Sequence, residues 1–105
     1  MGLKIAPHGV PALYMGGTSQ DLSFSAGAST ACTSAFDDAT EVVRLYATQN
    51  CRVAFAASPS ATSTSMYLGA GQAEYFNVPP AKSFKVAAYG ITAGGTLNIT
   101  EASST

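Results

Sequence analysis

The sequence predicts an all-β domain: an antiparallel β-sandwich or jelly-roll-like small barrel with an extended N-terminal arm. Three observations carry this. Roughly six to eight short segments alternate apolar and polar residues with a period of two. Clusters of Gly, Pro, Asn and Ser separate those segments at short intervals. No segment of useful length repeats its apolar residues at the helical period. The chain has 105 residues, enough for one domain. It divides into the arm, residues 1–20, and the sandwich, residues 21–105.

The arm is punctuated by Pro7, Gly9, Pro11, Gly16 and Gly17. These break any regular element, yet Val10, Leu13, Tyr14 and Met15 between them are apolar. Burying each is worth about 1.5–3 kcal/mol, and a small domain has little spare core surface to cover them. The expectation is that these four residues pack on a neighbouring subunit or partner.

Residues 21–35 place Leu22 and Phe24 on one face of a strand, with a turn near Gly27. Phe36 to Glu41 could open a single helical turn, but the β-branched Val42-Val43 that follows marks entry into a strand. From there Val43 and Leu45 alternate with Arg44, as far as Thr48. Gln49-Asn50 reads as a tight turn, and Cys51 to Ala56 returns with Val53 and Phe55 on one face. A β-hairpin is therefore expected, with 42–48 pairing antiparallel to 51–56.

A polar loop without large side chains fills 57–65. Met66-Tyr67-Leu68 resumes a strand and Gly69 to Gln72 turns. Glu74 to Val78 forms another strand, ended by Pro79-Pro80. In 83–89, Phe84, Val86 and Ala88 point inward and Lys85 outward. After the turn Thr92 to Gly95, Leu97 and Ile99 are buried in a last strand over 96–101. The predicted core is Val43, Leu45, Val53, Phe55, Leu68, Phe76, Val78, Phe84, Val86, Leu97 and Ile99.

Hydrophobic residues make up 47% of the chain and charged ones only 10%, against about 25% in an average soluble protein. So sparse a charge suits a surface covered by copies of itself or by a partner, because interface cores are depleted of charge. The formal net charge is −1, and the five basic residues, Lys4, Arg44, Arg52, Lys82 and Lys85, are scattered. That distribution gives no footprint for nucleic acid. No apolar run is long enough to span a bilayer. The stretch Met1 to Pro7 lacks a charged segment followed by an apolar one, so synthesis and folding in a cytosol are expected. Cys32 and Cys51 should then be free thiols packed as small hydrophobes.

Residues with chemical potential are few. His8, the only histidine, lies in the arm, far in sequence from acids and thiols, whereas a general base needs a partner within hydrogen-bond reach. Asp37, Asp38 and Glu41 form the densest acidic cluster, but without the spacing of a calcium loop. They read as a solvated turn before the next strand. No Gly-x-Ser-x-Gly elbow occurs. Asn98-Ile99-Thr100 matches a glycosylation sequon by chance on a strand. No enzyme, metal site or cofactor is expected. Tyr14, Tyr46, Tyr67, Tyr75 and Tyr89 could serve as interface anchors or stack on sugar rings.

Four stretches together carry a resemblance: VVRLYATQNCRVAF (42–55), SPSATSTSMYLGAG (58–71), EYFNV (74–78) and GTLNITE (95–101). Over residues 41–101 the chain resembles small structural proteins encoded among the head genes of tailed bacteriophages. The resemblance implies a virion protein, made in the host cytoplasm. Above all it implies a capsid cement or decoration protein that binds the outer head surface and stabilises the shell. Its implied partners are the major capsid protein and copies of itself, with no nucleic acid and no membrane. A tail, connector or fibre domain would share these properties. So would a carbohydrate- or receptor-binding β-sandwich, which a surface cluster of Tyr with Asn and Asp would favour.

Overall fold

The computed structural model describes residues 19–102 and, as backbone, two short strands nearer the N-terminus. Those two, β1 (Lys4–Ile5) and β2 (Pro11–Ala12), pair antiparallel with each other. The remaining strands are β3 (Ser19–Phe24), β4 (Ser29–Ala31), β5 (Val42–Ala47), β6 (Cys51–Ala56), β7 (Met66–Leu68), β8 (Glu74–Asn77), β9 (Lys85–Gly90) and β10 (Gly95–Ala102). They form two four-stranded antiparallel sheets, β3-β10-β5-β8 and β4-β9-β6-β7. The all-β prediction holds, and the described residues contain no helix. Phe36 to Glu41 forms an irregular turn rather than a helical one.

The strand order is that of a jelly roll. The first strand of the sandwich pairs with its last (β3 with β10), then β4 with β9, β5 with β8 and β6 with β7. This is one long two-stranded ribbon closed by the loop 57–65. Rolling the ribbon brings β5 against β10 and β6 against β9, which completes the sheets. Backbone bonds join the two chains of the ribbon at each corner. Near the first corner Gly90 N–H donates to Ser25 O and Gly27 N–H to Gly90 O. At the second, Cys32 N–H bonds Val86 O, Phe36 N–H bonds Phe84 O and Ala81 N–H bonds Asp38 O. At the third, Gly71 N–H bonds Ala47 O, and Ala70 N–H bonds the side-chain oxygen of Asn50.

The third corner corrects the expected hairpin. β5 and β6 do not pair; they lie in different sheets. Gln49-Asn50 is an arch across the sandwich, and the hairpin is β6–β7, around 57–65. Alternation is the same in either arrangement, so it could not choose between them. The carbonyl of Ala47 is satisfied by Gly71, remote in sequence, and not across a two-residue turn.

Between the sheets lies the core. Val43, Leu45, Val53, Leu68, Val86, Leu97 and Ile99 are at most 2% exposed, and Val78 is buried beside them. Phe55, Phe76 and Phe84 are half-buried against this cluster. The ring of Phe55 is 6.4 Å from that of Phe36 and 5.4 Å from that of Phe76, both tilted. Leu22 and Phe24 are buried from β3, as the alternation there predicts.

Cys32 and Cys51 are both free and buried. Burial pushes the Cys51 thiol up from 9.0 to about 11, because the thiolate would be desolvated. The native state therefore holds the proton between pH 9 and 11 while the unfolded chain releases it. Stability must fall as pH rises through this window, by up to about 1.4 kcal/mol per pH unit. Cys51→Ala, less stable at neutral pH, should lose this slope. Unfolding both proteins in urea from about pH 8 to 11 checks it: parallel stability curves would rule out a buried Cys51 thiol as the cause. Two thiols should react with a disulfide reagent in denaturant, and Cys51 should be protected in the native state at about pH 8.

Candidate functional site

The two outer faces of the sandwich differ. On the β4-β9-β6-β7 sheet, register sets Ala31, Ala87 and Ala54 side by side on the outside. Ala87 is nevertheless fully buried. Its cover is the loop 57–65: Ala61 is buried, and its N–H donates to Ser29 Oγ at 2.9 Å on the same outer face. Small side chains let the loop lie close. Beside the alanines, Arg52 donates to Ser65 O and stacks over the ring of Tyr67 at 5.7 Å. Tyr89 is its cross-strand neighbour on the other side.

The outer face of β3-β10-β5-β8 carries the candidate site. Leu22, Phe24, Val43, Leu45, Leu97 and Ile99 point inward, so their strand neighbours point outward. Register then aligns two rows. Asp21, Asn98 and Tyr46 cross three strands in one, and Ser19, Thr100, Arg44 and Tyr75 cross all four in the next. Tyr75 is 56% exposed and Tyr46 38%. The Arg44 guanidinium lies 5.7 Å from the Tyr46 ring centroid, a cation–π contact. Asn98 Nδ2 donates to Asp21 Oδ1 at 2.9 Å and to Ser19 Oγ at 3.1 Å, and Thr100 Oγ1 donates to Asn98 Oδ1. These bonds fix the polar side chains of the central strand flat against the sheet. The result is a platform of two exposed aromatic rings, one cation and one anion on a rigid frame. Such a surface can bind by stacking and hydrogen bonding; among the described residues it presents no nucleophile beside a base.

Sequence reasoning offered five tyrosines as candidate anchors but not which of them meet. The structure brings Tyr46 and Tyr75 to one face and Tyr67 and Tyr89 to the other. The interface candidates Val10, Leu13, Tyr14 and Met15, like His8, lie outside the described residues. Asp37 and Asp38 are exposed, as a solvated turn requires, but Glu41 is half-buried, its Oε1 enclosed and without a hydrogen-bond partner among the described residues. Among the described residues no group of three or more His, Cys, Asp or Glu is placed to hold a metal ion.

One residue the sequence reading passed over is Glu101. It follows Leu97 and Ile99 on the inward face of β10 and is only 4% exposed. Continuing the same alternation two residues further would have found it. Its Oε1 accepts a 2.6 Å bond from Thr40 Oγ1 and a 2.9 Å bond from Asp37 N–H. It thereby ties the 37–40 turn to the end of the core. Glu101→Ala would strand both donors, and Thr40 is itself buried. A loss of about 2 kcal/mol is expected, against less than about 1 kcal/mol for Glu101→Gln, which keeps an acceptor. Equal losses in urea unfolding would show that the carboxylate is not a structural acceptor.

Compared with known protein families, curated proteins and solved structures, the chain matches none.

Proposed function

We propose that this chain is a structural protein of a bacteriophage virion, a cement or decoration protein seated on the outer surface of the head. The observation that carries the proposal is a low-charge jelly roll whose β3-β10-β5-β8 outer face exposes two tyrosines. That face presents tyrosine and arginine on a hydrogen-bonded frame. Tyrosine and arginine are the residues that anchor protein interfaces, and lysine and glutamate are the ones such surfaces lack. The jelly roll is a fold used by viral capsid proteins, and the likeness of residues 41–101 to phage head proteins points the same way. Fold alone does not give function, so the exposed face bears the weight.

In this reading the apolar arm, with Val10, Leu13, Tyr14 and Met15, adds contact with the shell. Cryo-EM of particles from a culture that produces the chain tests the proposal. Density for an eight-stranded sandwich at regular sites on the head is expected. Particles lacking the chain should break open at lower temperature, and deleting residues 1–15 should leave a folded domain that no longer binds heads. Density on the tail or a fibre, or heads without the chain, would overturn it.

A second reading has an observation in its favour. Tyr46 and Tyr75 stand beside Asn98 and Asp21 on one face, the combination that binds a sugar by stacking and hydroxyl bonds. Lectin domains also use the jelly roll. Binding to neutral oligosaccharides that is lost in Tyr75→Ala would establish this reading instead.

A further inference from the structure

We infer that the outer face of β4-β9-β6-β7 holds a binding site for an acidic sugar, a pyranose ring that carries a carboxylate. The inference stands apart from the virion reading and from the platform on the opposite sheet. Cys51 and Val53 are buried on the inward side of β6, so Arg52 between them points outward. Register sets Tyr67 of β7 on one side of it and Tyr89 of β9 on the other. The Arg52 side chain is held in place from two directions. Its Nη1 donates to Ser65 O at 3.0 Å, and its guanidinium carbon lies 5.7 Å from the centroid of the Tyr67 ring. Beside it, Ser65 N–H donates to Thr62 O and closes a turn. The hydroxyls of that turn are bonded together: Thr62 Oγ1 is 3.1 Å from Thr64 Oγ1 and 3.4 Å from Ser65 Oγ. Thr62 and Thr64 are exposed.

Charge sets the sign of the ligand. The acids of the chain are Asp21, Asp37, Asp38, Glu41, Glu74 and Glu101. They lie on β3, β8 and β10 or in the turn before β5, and none lies on β4, β6, β7, β9 or in the loop 57–65. Lys85 shares the outward side of β9 with Tyr89, so this sheet is cationic in a chain whose formal net charge is −1. Ser65 O takes one Arg52 N–H, and a carboxylate can accept two parallel bonds from those that remain. Tyr67 is 53% exposed and offers its ring to the apolar side of a sugar. The Thr62 and Thr64 hydroxyls both donate and accept, as sugar hydroxyls require. With strands about 4.8 Å apart, the row from Tyr89 to Tyr67 is roughly 10 Å wide. That fits a short oligosaccharide and is far too small for a protein partner. Two cations are also too few to track a nucleic-acid backbone.

The test is calorimetric titration of the intact chain with trigalacturonate and with sialyllactose, which separate a uronate from a sialate as the source of the acidic ring. At least one should bind with a Kd of about 1 mM or tighter. Its neutral counterpart, methyl-esterified trigalacturonate or lactose, should bind at least about tenfold more weakly. Arg52→Gln should weaken the acidic sugar at least about tenfold, and Tyr67→Ala about fivefold. Tyr75→Ala, on the opposite sheet, should leave it unchanged. The neutral sugars alter no residue of the protein, so their weaker binding cannot come from a lost fold. No heat with either acidic sugar at about 10 mM overturns the inference. So does a neutral sugar bound as tightly as the acidic one, an Arg52→Gln variant that binds like wild type, or binding that is lost in Tyr75→Ala. A single-stranded oligonucleotide bound more tightly than both acidic sugars overturns it as well. Head binding, by contrast, is read on particles, so either proposal can fail without the other.

Discussion

Leu45→Ala is expected to destabilise the domain by about 3–4 kcal/mol. Leu45 is fully buried on β5 and sits directly across from Ile99 of β10, also fully buried. Both side chains point into the space between the sheets. Their strands are hydrogen-bonded on both edges, so the backbone cannot close on a void. Removing the isobutyl group therefore loses its transfer energy and leaves most of its volume empty. A domain of this size has only about 5–10 kcal/mol in total, so the loss should lower Tm by roughly 15–25 °C. Tyr67→Ser, at a position 53% exposed, should change stability by less than about 1 kcal/mol. Urea and thermal unfolding of the two variants would decide the matter. A Leu45→Ala loss below that of Tyr67→Ser would mean that the sheets do not pack through Leu45.

Gly90→Ala should be nearly as damaging, for a different reason. Gly90 ends β9 at the first corner of the rolled ribbon. A Cβ there would come within 2.6 Å of Ser25 O and 2.8 Å of Ala93 O. Both are backbone atoms, and Ser25 O already accepts the Gly90 N–H at 3.0 Å. The chain cannot relieve the clash by turning a side chain. It must push β9 away from the β3–β4 corner and break that bond, at a cost of about 2–4 kcal/mol. Gly27, at the same corner, is the useful contrast. It has φ of +70° but nothing within 4 Å of a built Cβ. Gly27→Ala meets only left-handed backbone strain, about 1–2 kcal/mol. If Gly27→Ala proved the more harmful of the two, the close approach at Gly90 would not be a real constraint of the fold.

Most of the strands were legible in the sequence because each shows one buried face. Val86 and Ala88 with Ala87 between them, or Leu97 and Ile99 with Asn98 between them, can be read without any partner. The inward residues are set by the chemistry of each side chain and by the period of the strand. Glu101 shows the limit of that habit. It occupies the next inward position after Ile99, but a carboxylate does not look like core, and only the Thr40 hydroxyl and the Asp37 N–H make its burial tolerable. Ala87 is a limit of another kind. It points outward by register and is nevertheless buried, on the face where Ala61 N–H of the loop 57–65 reaches Ser29 Oγ.

The candidate platform was legible only in its ingredients. Tyr46, Tyr75, Asn98 and Asp21 are separated by up to 77 residues, and nothing local in the chain says that they share a face. That was decided by the pairing of β3 and β5 on either side of β10, and of β8 on β5. The same holds for the arch at Gln49-Asn50. The sequence by itself determined that the chain is all-β, where most of its longer strands run and which way their side chains point, since these follow from each residue's own partition between water and core; the short β1, β2 and β4 were not among them. Only the tertiary structure decided which strands are neighbours, because an inward face is satisfied equally by a hairpin or by a strand of the opposite sheet. The choice falls to backbone N–H and C=O groups, whose partners here lie tens of residues away.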